Sequence, residues 1–135
     1  MRNLMIVCVM LVAGAVSALA QSSAVTVKNK TNCAYLVQLV NARDDCGATC
    51  TTTAICVLPG TSVTIAPCNS NWYWDRAIVT PTYDDCTPCT TTPVIVSSPE
   101  PTNCLNLSTT ATANHCAGCA PFTVDFATNT QLHIY

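Results

Sequence analysis

Apolar residues along this chain alternate with polar ones or gather in short unbroken runs. No window carries them at i, i+3, i+4 and i+7 over three turns, the spacing a buried helical face requires. Residues 24–28 (AVTVK) alternate weakly and stop at Asn29. Residues 34–40 (AYLVQLV) and 54–58 (AICVL) are denser, and Pro59-Gly60 then marks a turn. Residues 62–66 (SVTIA) alternate cleanly, with Val63 and Ile65 on one face. Further β-prone stretches cover 72–79, 93–96, 104–108, 122–126 and 131–135, with prolines recurring between them. Strands with turns at intervals of roughly 8–12 residues predict an all-β fold, an antiparallel β-sandwich of about seven to nine short strands. The last stretch, 131–135, is a candidate edge strand for pairing with a second copy.

One pattern recurs. Asp44-Asp45-Cys46-Gly47-Ala48-Thr49-Cys50 runs into three threonines and the apolar stretch around Ile55. Asp84-Asp85-Cys86-Thr87-Pro88-Cys89 does the same ahead of residues 93–96. A fainter copy, Asn114-His115-Cys116-Ala117-Gly118-Cys119, leads into residues 122–126. A β-prone segment precedes each copy, starting near Ala34, Tyr73 and Leu105. The expected unit is a hairpin with two close cysteines near its tip, the three tips sharing one end of the domain.

The first twenty residues change the accounting. Arg2, an apolar run over 4–16 and the small-residue ending Ser17-Ala18-Leu19-Ala20 read as a signal peptide over 1–20, cleaved to leave one domain at 21–135. The run is shorter than the roughly 20 residues a membrane span needs, so no span is expected in the mature chain. Ten cysteines then remain: Cys33, Cys46, Cys50, Cys56, Cys68, Cys86, Cys89, Cys104, Cys116 and Cys119. An even number in a small exported chain predicts about five disulfides stapling the sandwich, with a connectivity that spacing does not reveal. The expected location is extracellular, or periplasmic or cell-surface in a bacterium. Threonine, at 21 residues, makes the strands polar through hydroxyls instead of charges. Four basic and seven acidic residues beyond the leader give no footprint for nucleic acid.

Several groups are candidates for chemistry. Cys86/Cys89 and Cys116/Cys119 have the spacing of zinc ligands or redox dithiols, but export to an oxidising compartment favours structural disulfides, and neither a metal nor another cofactor is expected. His115 precedes its cysteine, which does not match covalent haem attachment. In Trp72-Tyr73-Trp74-Asp75-Arg76 an extended chain sets both indoles on one face, beside groups able to hydrogen-bond a sugar; the plainer reading is core packing. Asp44/Asp45 and Asp84/Asp85 would meet, and could hold calcium, only if their turns lay side by side. Asn29 and Asn106 head glycosylation triplets. No G-x-S-x-G or H-E-x-x-H occurs.

Residues 25–29 (VTVKN) with Cys33 and Tyr35, then residues 58–62 (LPGTS), resemble the opening of small thaumatin-like proteins. That resemblance spans barely a third of the chain and implies a secreted, disulfide-rich β-sandwich. The acidic-cleft residues and later cysteine pattern of that family do not follow in order, so no functional residue is carried over. The sequence therefore predicts a non-enzymatic structural or interaction module with an unknown extracellular partner, glycan or protein. A lectin-like domain built on residues 72–76, and a defence protein or protease inhibitor presenting a cysteine-braced loop, are the alternatives.

Overall fold

A computed structural model describes residues 22–99 and 104–135. The leader expected over 1–20 lies outside the described residues. Ten strands and no helix are found among them: β1 (Val25–Asn29), β2 (Tyr35–Ala42), β3 (Thr49–Thr51), β4 (Ile55–Val57), β5 (Ser62–Ile65), β6 (Tyr73–Pro81), β7 (Val94–Ser97), β8 (Thr110–Ala113), β9 (Phe122–Thr128) and β10 (Gln131–Ile134). They form two sheets. One has the order β5-β1-β10-β9-β8; the other runs β3-β2-β6-β7. β4 pairs with the first half of β2 and β3 with the second, so the two short strands lie end to end along one edge.

The alternation along the strands becomes the interior. Val25 and Val27 of β1, Val37 and Leu39 of β2, Ala77 and Val79 of β6, and Phe122, Val124 and Phe126 of β9 are all buried in one cluster. Residues between them are half-buried or exposed. On the outer face, threonines bond across strands: Thr112 Oγ1 lies 2.9 Å from Thr123 Oγ1, and Thr110 Oγ1 donates to Asp125 Oδ1 at 3.0 Å. Such pairs hold a face polar with little charge.

The expected all-β, disulfide-stapled sandwich is what forms, and four details of it differ. There are ten strands, not seven to nine, because β3 and β8 are too weakly apolar to stand out. Residues 104–108 are not a strand: Asn106 has a left-handed φ of 51° and Leu105 is exposed, and the third hairpin starts at Thr110. The sheets are not wholly antiparallel, since β1 and β10 run parallel; no tight turn joins them, so hairpin geometry does not dictate their direction. β10 is also no edge, as it lies between β1 and β9.

The expected strand pairs form, β2 with β4, β6 with β7 and β8 with β9, each antiparallel, but in the first the unanticipated β3 intervenes and carries Cys50. Their tips do not share one end. Tyr35 opposes Pro81 and Ala42 opposes Tyr73, so the loops after β2 and after β6 leave opposite ends of the sheet. The β1–β2, β6–β7 and β8–β9 connections gather at one end; the β2–β3, β5–β6 and β7–β8 connections gather at the other. Asp44/Asp45 and Asp84/Asp85 are thereby separated by the length of the sandwich, which removes the convergent calcium site.

All ten of these cysteines are paired, as five disulfides. Cys33–Cys119, Cys89–Cys116 and Cys56–Cys86 knit the first end. Cys46–Cys104 and Cys50–Cys68 hold the second. No cysteine bonds the near neighbour in its own repeat, so neither Cys86 to Cys89 nor Cys46 to Cys56 is a loop closed on itself.

Candidate ligand pocket

Among the described residues, a concavity lies at the end with three disulfides. It encloses about 450 Å³ between the β1–β2 turn and the β8–β9 loop, lined by Lys30, Thr31, Asn32, Cys33, Tyr35, Gly118, Cys119, Ala120, Pro121 and Tyr135. That volume falls in the range of small-molecule sites.

Asn29 builds the turn beneath it. Its Oδ1 accepts from the Thr31 amide at 3.0 Å and the Thr31 hydroxyl at 2.8 Å, the local arrangement that makes asparagine a turn former. Its amide nitrogen faces inward and donates to the carbonyls of Cys33 (2.6 Å), Val57 (3.0 Å) and Leu58 (3.1 Å). Asn29 is 2% exposed, so it is no glycan acceptor in the folded chain, whereas Asn106 is exposed. The Lys30 amide extends the ladder by donating to the Ile134 carbonyl at 2.7 Å. This sets the Lys30 ammonium 4.3 Å from the centre of the Tyr135 ring, a cation–π contact.

The opposite wall comes from the third repeat. Gly118 sits at φ 77°, where a side chain would strain the backbone, and the turn it makes carries Cys119 to Cys33. Tyr35 closes the floor. Its ring packs on Phe122 at 4.8 Å and on His115 at 5.2 Å, edge to face with the latter. The Tyr35 hydroxyl is buried and has no hydrogen-bond partner in the protein. Burial pushes that hydroxyl's pKa up, against a smaller opposing pull from the nearby Thr31 hydroxyl.

His115 stands behind Tyr35. Its Nδ1 accepts from the Ala117 amide at 3.1 Å, which leaves the proton of the neutral ring on Nε2, itself buried and unpartnered. One ring nitrogen of His115 groups within 4.8 Å with the sulfurs of Cys33 and Cys119, and likewise with those of Cys89 and Cys116. All four sulfurs are spent in disulfides, so no thiolate set for zinc or for dithiol exchange is formed. Beside the pocket, His133 contacts the Tyr135 hydroxyl at 2.8 Å through Nδ1. Burial lowers the His133 pKa, and the charges of Lys30 and Lys28 lower it further against Asp125.

The aromatic cluster singled out from the sequence is not brought together as an open platform. Trp74 is fully buried and its indole N–H donates to the Ser23 carbonyl at 2.8 Å. Asp75 is fully buried as well, because a bulge opposite Val40 and Asn41 turns it inward beside Trp74. Its carboxylate accepts from the Cys104 amide at 2.9 Å and pairs with Arg76. Trp72 precedes β6 in a bend, and its carbonyl accepts from the Ser22 hydroxyl. Tyr73 is half-buried. Two of the five residues therefore cannot touch a ligand, and the two indoles share no exposed face. Sequence reasoning missed most of the pocket, because its walls come from turns without periodicity; the available signal was the pair of cysteine-bearing turns, 29–33 and 116–121.

Fold and site together define a small all-β sandwich, clamped by disulfides, with a pocket at its more heavily bridged end. Comparison with protein-family models, curated proteins and solved structures found no match for the chain. The likeness to thaumatin-like proteins thus rests on residues 25–29, Cys33, Tyr35 and residues 58–62 alone.

Proposed function

We propose that this chain is an exported, non-catalytic interaction module whose working surface is the pocket end. The observation carrying this reading is the distribution of the bridges. Three of five disulfides converge on the connections around the pocket, although the sheets beneath are already paired on both sides of β1, β2 and β6. Bridges placed there fix loops, and a loop fixed before binding loses less entropy on binding. Leu58, Tyr83 and Tyr135 are exposed at the same end, which supplies apolar contact area for a partner. Five disulfides in a chain this small also fit an oxidising compartment. No helix among the described residues is long and apolar enough to cross a membrane.

The test is intact mass of the expressed protein, native and after reduction with alkylation, in each cell fraction. The expected species lacks residues 1–20, lies outside the cytoplasm, and takes up ten alkyl groups only after reduction. Free thiols in the native protein, or a retained leader, would overturn the reading. A hydrolase panel addresses the absence of catalysis: turnover abolished by one point substitution would end that part of it.

A further inference from the structure

We propose that Cys33–Cys119 is a site of reversible thiolation: a small anionic thiol enters the pocket, bonds Cys119 and releases the Cys33 sulfur beside the His115 ring. This rests on the reading of the pocket end as the working surface and gives that surface a covalent chemistry.

The bridge is placed for it. Cys33 and Cys119 both line the pocket, and their bond ties its two walls together. Cys119 is half-buried whereas Cys33 is 5% exposed, so an incoming sulfur meets Cys119 and Cys33 is the leaving group. A ring nitrogen of His115 lies within 4.8 Å of both sulfurs. Nδ1 is engaged by the Ala117 amide; the Nε2–H, in a residue 8% exposed, has no acceptor. That unpaired buried donor costs stability while the bridge is closed. A Cys33 thiolate, shielded from water, gives it a charged acceptor and so favours the open form. Cys89–Cys116 also borders His115, but Cys116 is exposed, so water solvates its thiolate and the same N–H adds less.

Charge selects the thiol. Among the described residues, Lys30 lines the pocket without an ion pair and no acidic side chain joins it there. An unopposed ammonium draws an anion to the mouth of the site. In the exchange the attacking thiol loses its proton to solvent and its sulfur forms the new bond to Cys119. The electron pair of the broken bond stays on the Cys33 sulfur, so no outside oxidant or reductant takes part.

The experiment treats the oxidised protein with 3-mercaptopropionate, 2-mercaptoethanol or cysteamine, followed by acid quench, alkylation and peptide mapping. Each rate is divided by the same thiol's rate with a small neutral disulfide. The first product should carry mercaptopropionate on Cys119 and the alkyl group on Cys33. Normalised rates should fall from anion to neutral thiol to cation, by about fivefold per step. Exposure alone ranks Cys46, Cys68 and Cys116 ahead of Cys119, so first attack at any of them overturns the proposal, as does a flat charge series. His115→Asn keeps an acceptor for the Ala117 amide, as Asp45 and Asp85 do in the other copies, and removes Nε2. It should slow thiolation about tenfold. A merely loosened turn would speed the reaction, so an unchanged or faster rate refutes the part given to His115. Lys30→Met should level the charge series, and a series that keeps its slope refutes the part given to Lys30. A protein with ten blocked cysteines and no leader that fails these tests would leave the exported module standing while the thiolation site fell.

Discussion

Replacing Asn29 by Asp changes one group for another of the same shape, at a position where every contact of that group is defined. The Asn29 amide nitrogen points at three carbonyl oxygens between 2.6 and 3.1 Å away, in a residue 2% exposed. A carboxylate there presents oxygen to oxygen and loses both N–H donors, while the Thr31 amide and hydroxyl still have an acceptor. Losing two buried donors at about 1–2 kcal/mol each gives about 3 kcal/mol at pH 7, before any repulsion. Below the carboxyl's folded pKa the acid is neutral and its O–H donates to one carbonyl, so about 1–2 kcal/mol returns. Burial among carbonyls raises that folded pKa above the unfolded value. The variant's deficit is therefore smallest at acid pH and grows as pH rises through the unfolded carboxyl range, the opposite of a paired native carboxylate. Urea unfolding of oxidised wild type and Asn29→Asp at pH 3 and pH 7 reads this, with buried Trp74 as the fluorescent reporter. A loss under about 0.5 kcal/mol at pH 7, or an equal loss at both pH values, refutes the assignment of Asn29 as the inward-facing tie of the pocket turn.

Elsewhere in the fold, Trp74→Ala should cost about 3–5 kcal/mol in urea unfolding, whereas Trp72→Ala, outside the strand and only half-buried, should cost under about 1. The Asp45 carboxyl is held down to about 2, first by the Arg43 hydrogen bond and then by the Gly47 amide. Because its folded pKa is depressed, it favours the fold above the unfolded value and loses that contribution as pH falls towards 2. A carbon-detected titration should find that midpoint, and Arg43→Gln should move it upward. Replacing Cys46 and Cys104 with Ala should cost about 2–4 kcal/mol in the same unfolding assay, towards the lower end because Cys50–Cys68, Cys56–Cys86 and Cys89–Cys116 already shorten the unfolded loop this bridge closes. Produced in a glycosylating host, the protein should carry sugar at Asn106 and none at Asn29, as peptide mapping will show.

Period-two alternation made most strands readable, because one face of each is buried and the other is not. It failed where burial was shallow. Thr49–Thr51 and Thr110–Ala113 hold no large apolar side chain, and their place in the sheets comes from neighbours instead of their own hydrophobicity. It failed again at Asp75, where one extra residue in β6 resets the phase, so that adjacent Trp74 and Asp75 are both buried. No local pattern announces a bulge opposite Val40 and Asn41. The pocket was illegible for a related reason: Lys30 and Gly118 come from two separate connections and Tyr35 heads β2, and they meet only once the two sheets are stacked.

The repeated Asp-Asp-Cys pattern shows what short sequence does specify. In the first copy the Arg43 carbonyl accepts from the Cys46 amide at 2.9 Å; in the second the Tyr83 carbonyl accepts from the Cys86 amide at 2.9 Å. Cys46 and Cys86 both then take a left-handed φ, 57° and 67°. In all three copies the side chain before the first cysteine accepts from the amide after it: Asp45 from Gly47, Asp85 from Thr87, His115 from Ala117. The repeat thus encodes a turn, which local hydrogen bonding can enforce anywhere in the chain. It does not encode a location, since the first copy caps one end of the sandwich and the other two cap the opposite end. Partner choice depends on location: Cys46 reaches Cys104 across the far end, while Cys86 and Cys116 reach Cys56 and Cys89 near the pocket. Strand order settles that distribution, through contacts between residues as distant in the chain as Val27 and Leu132.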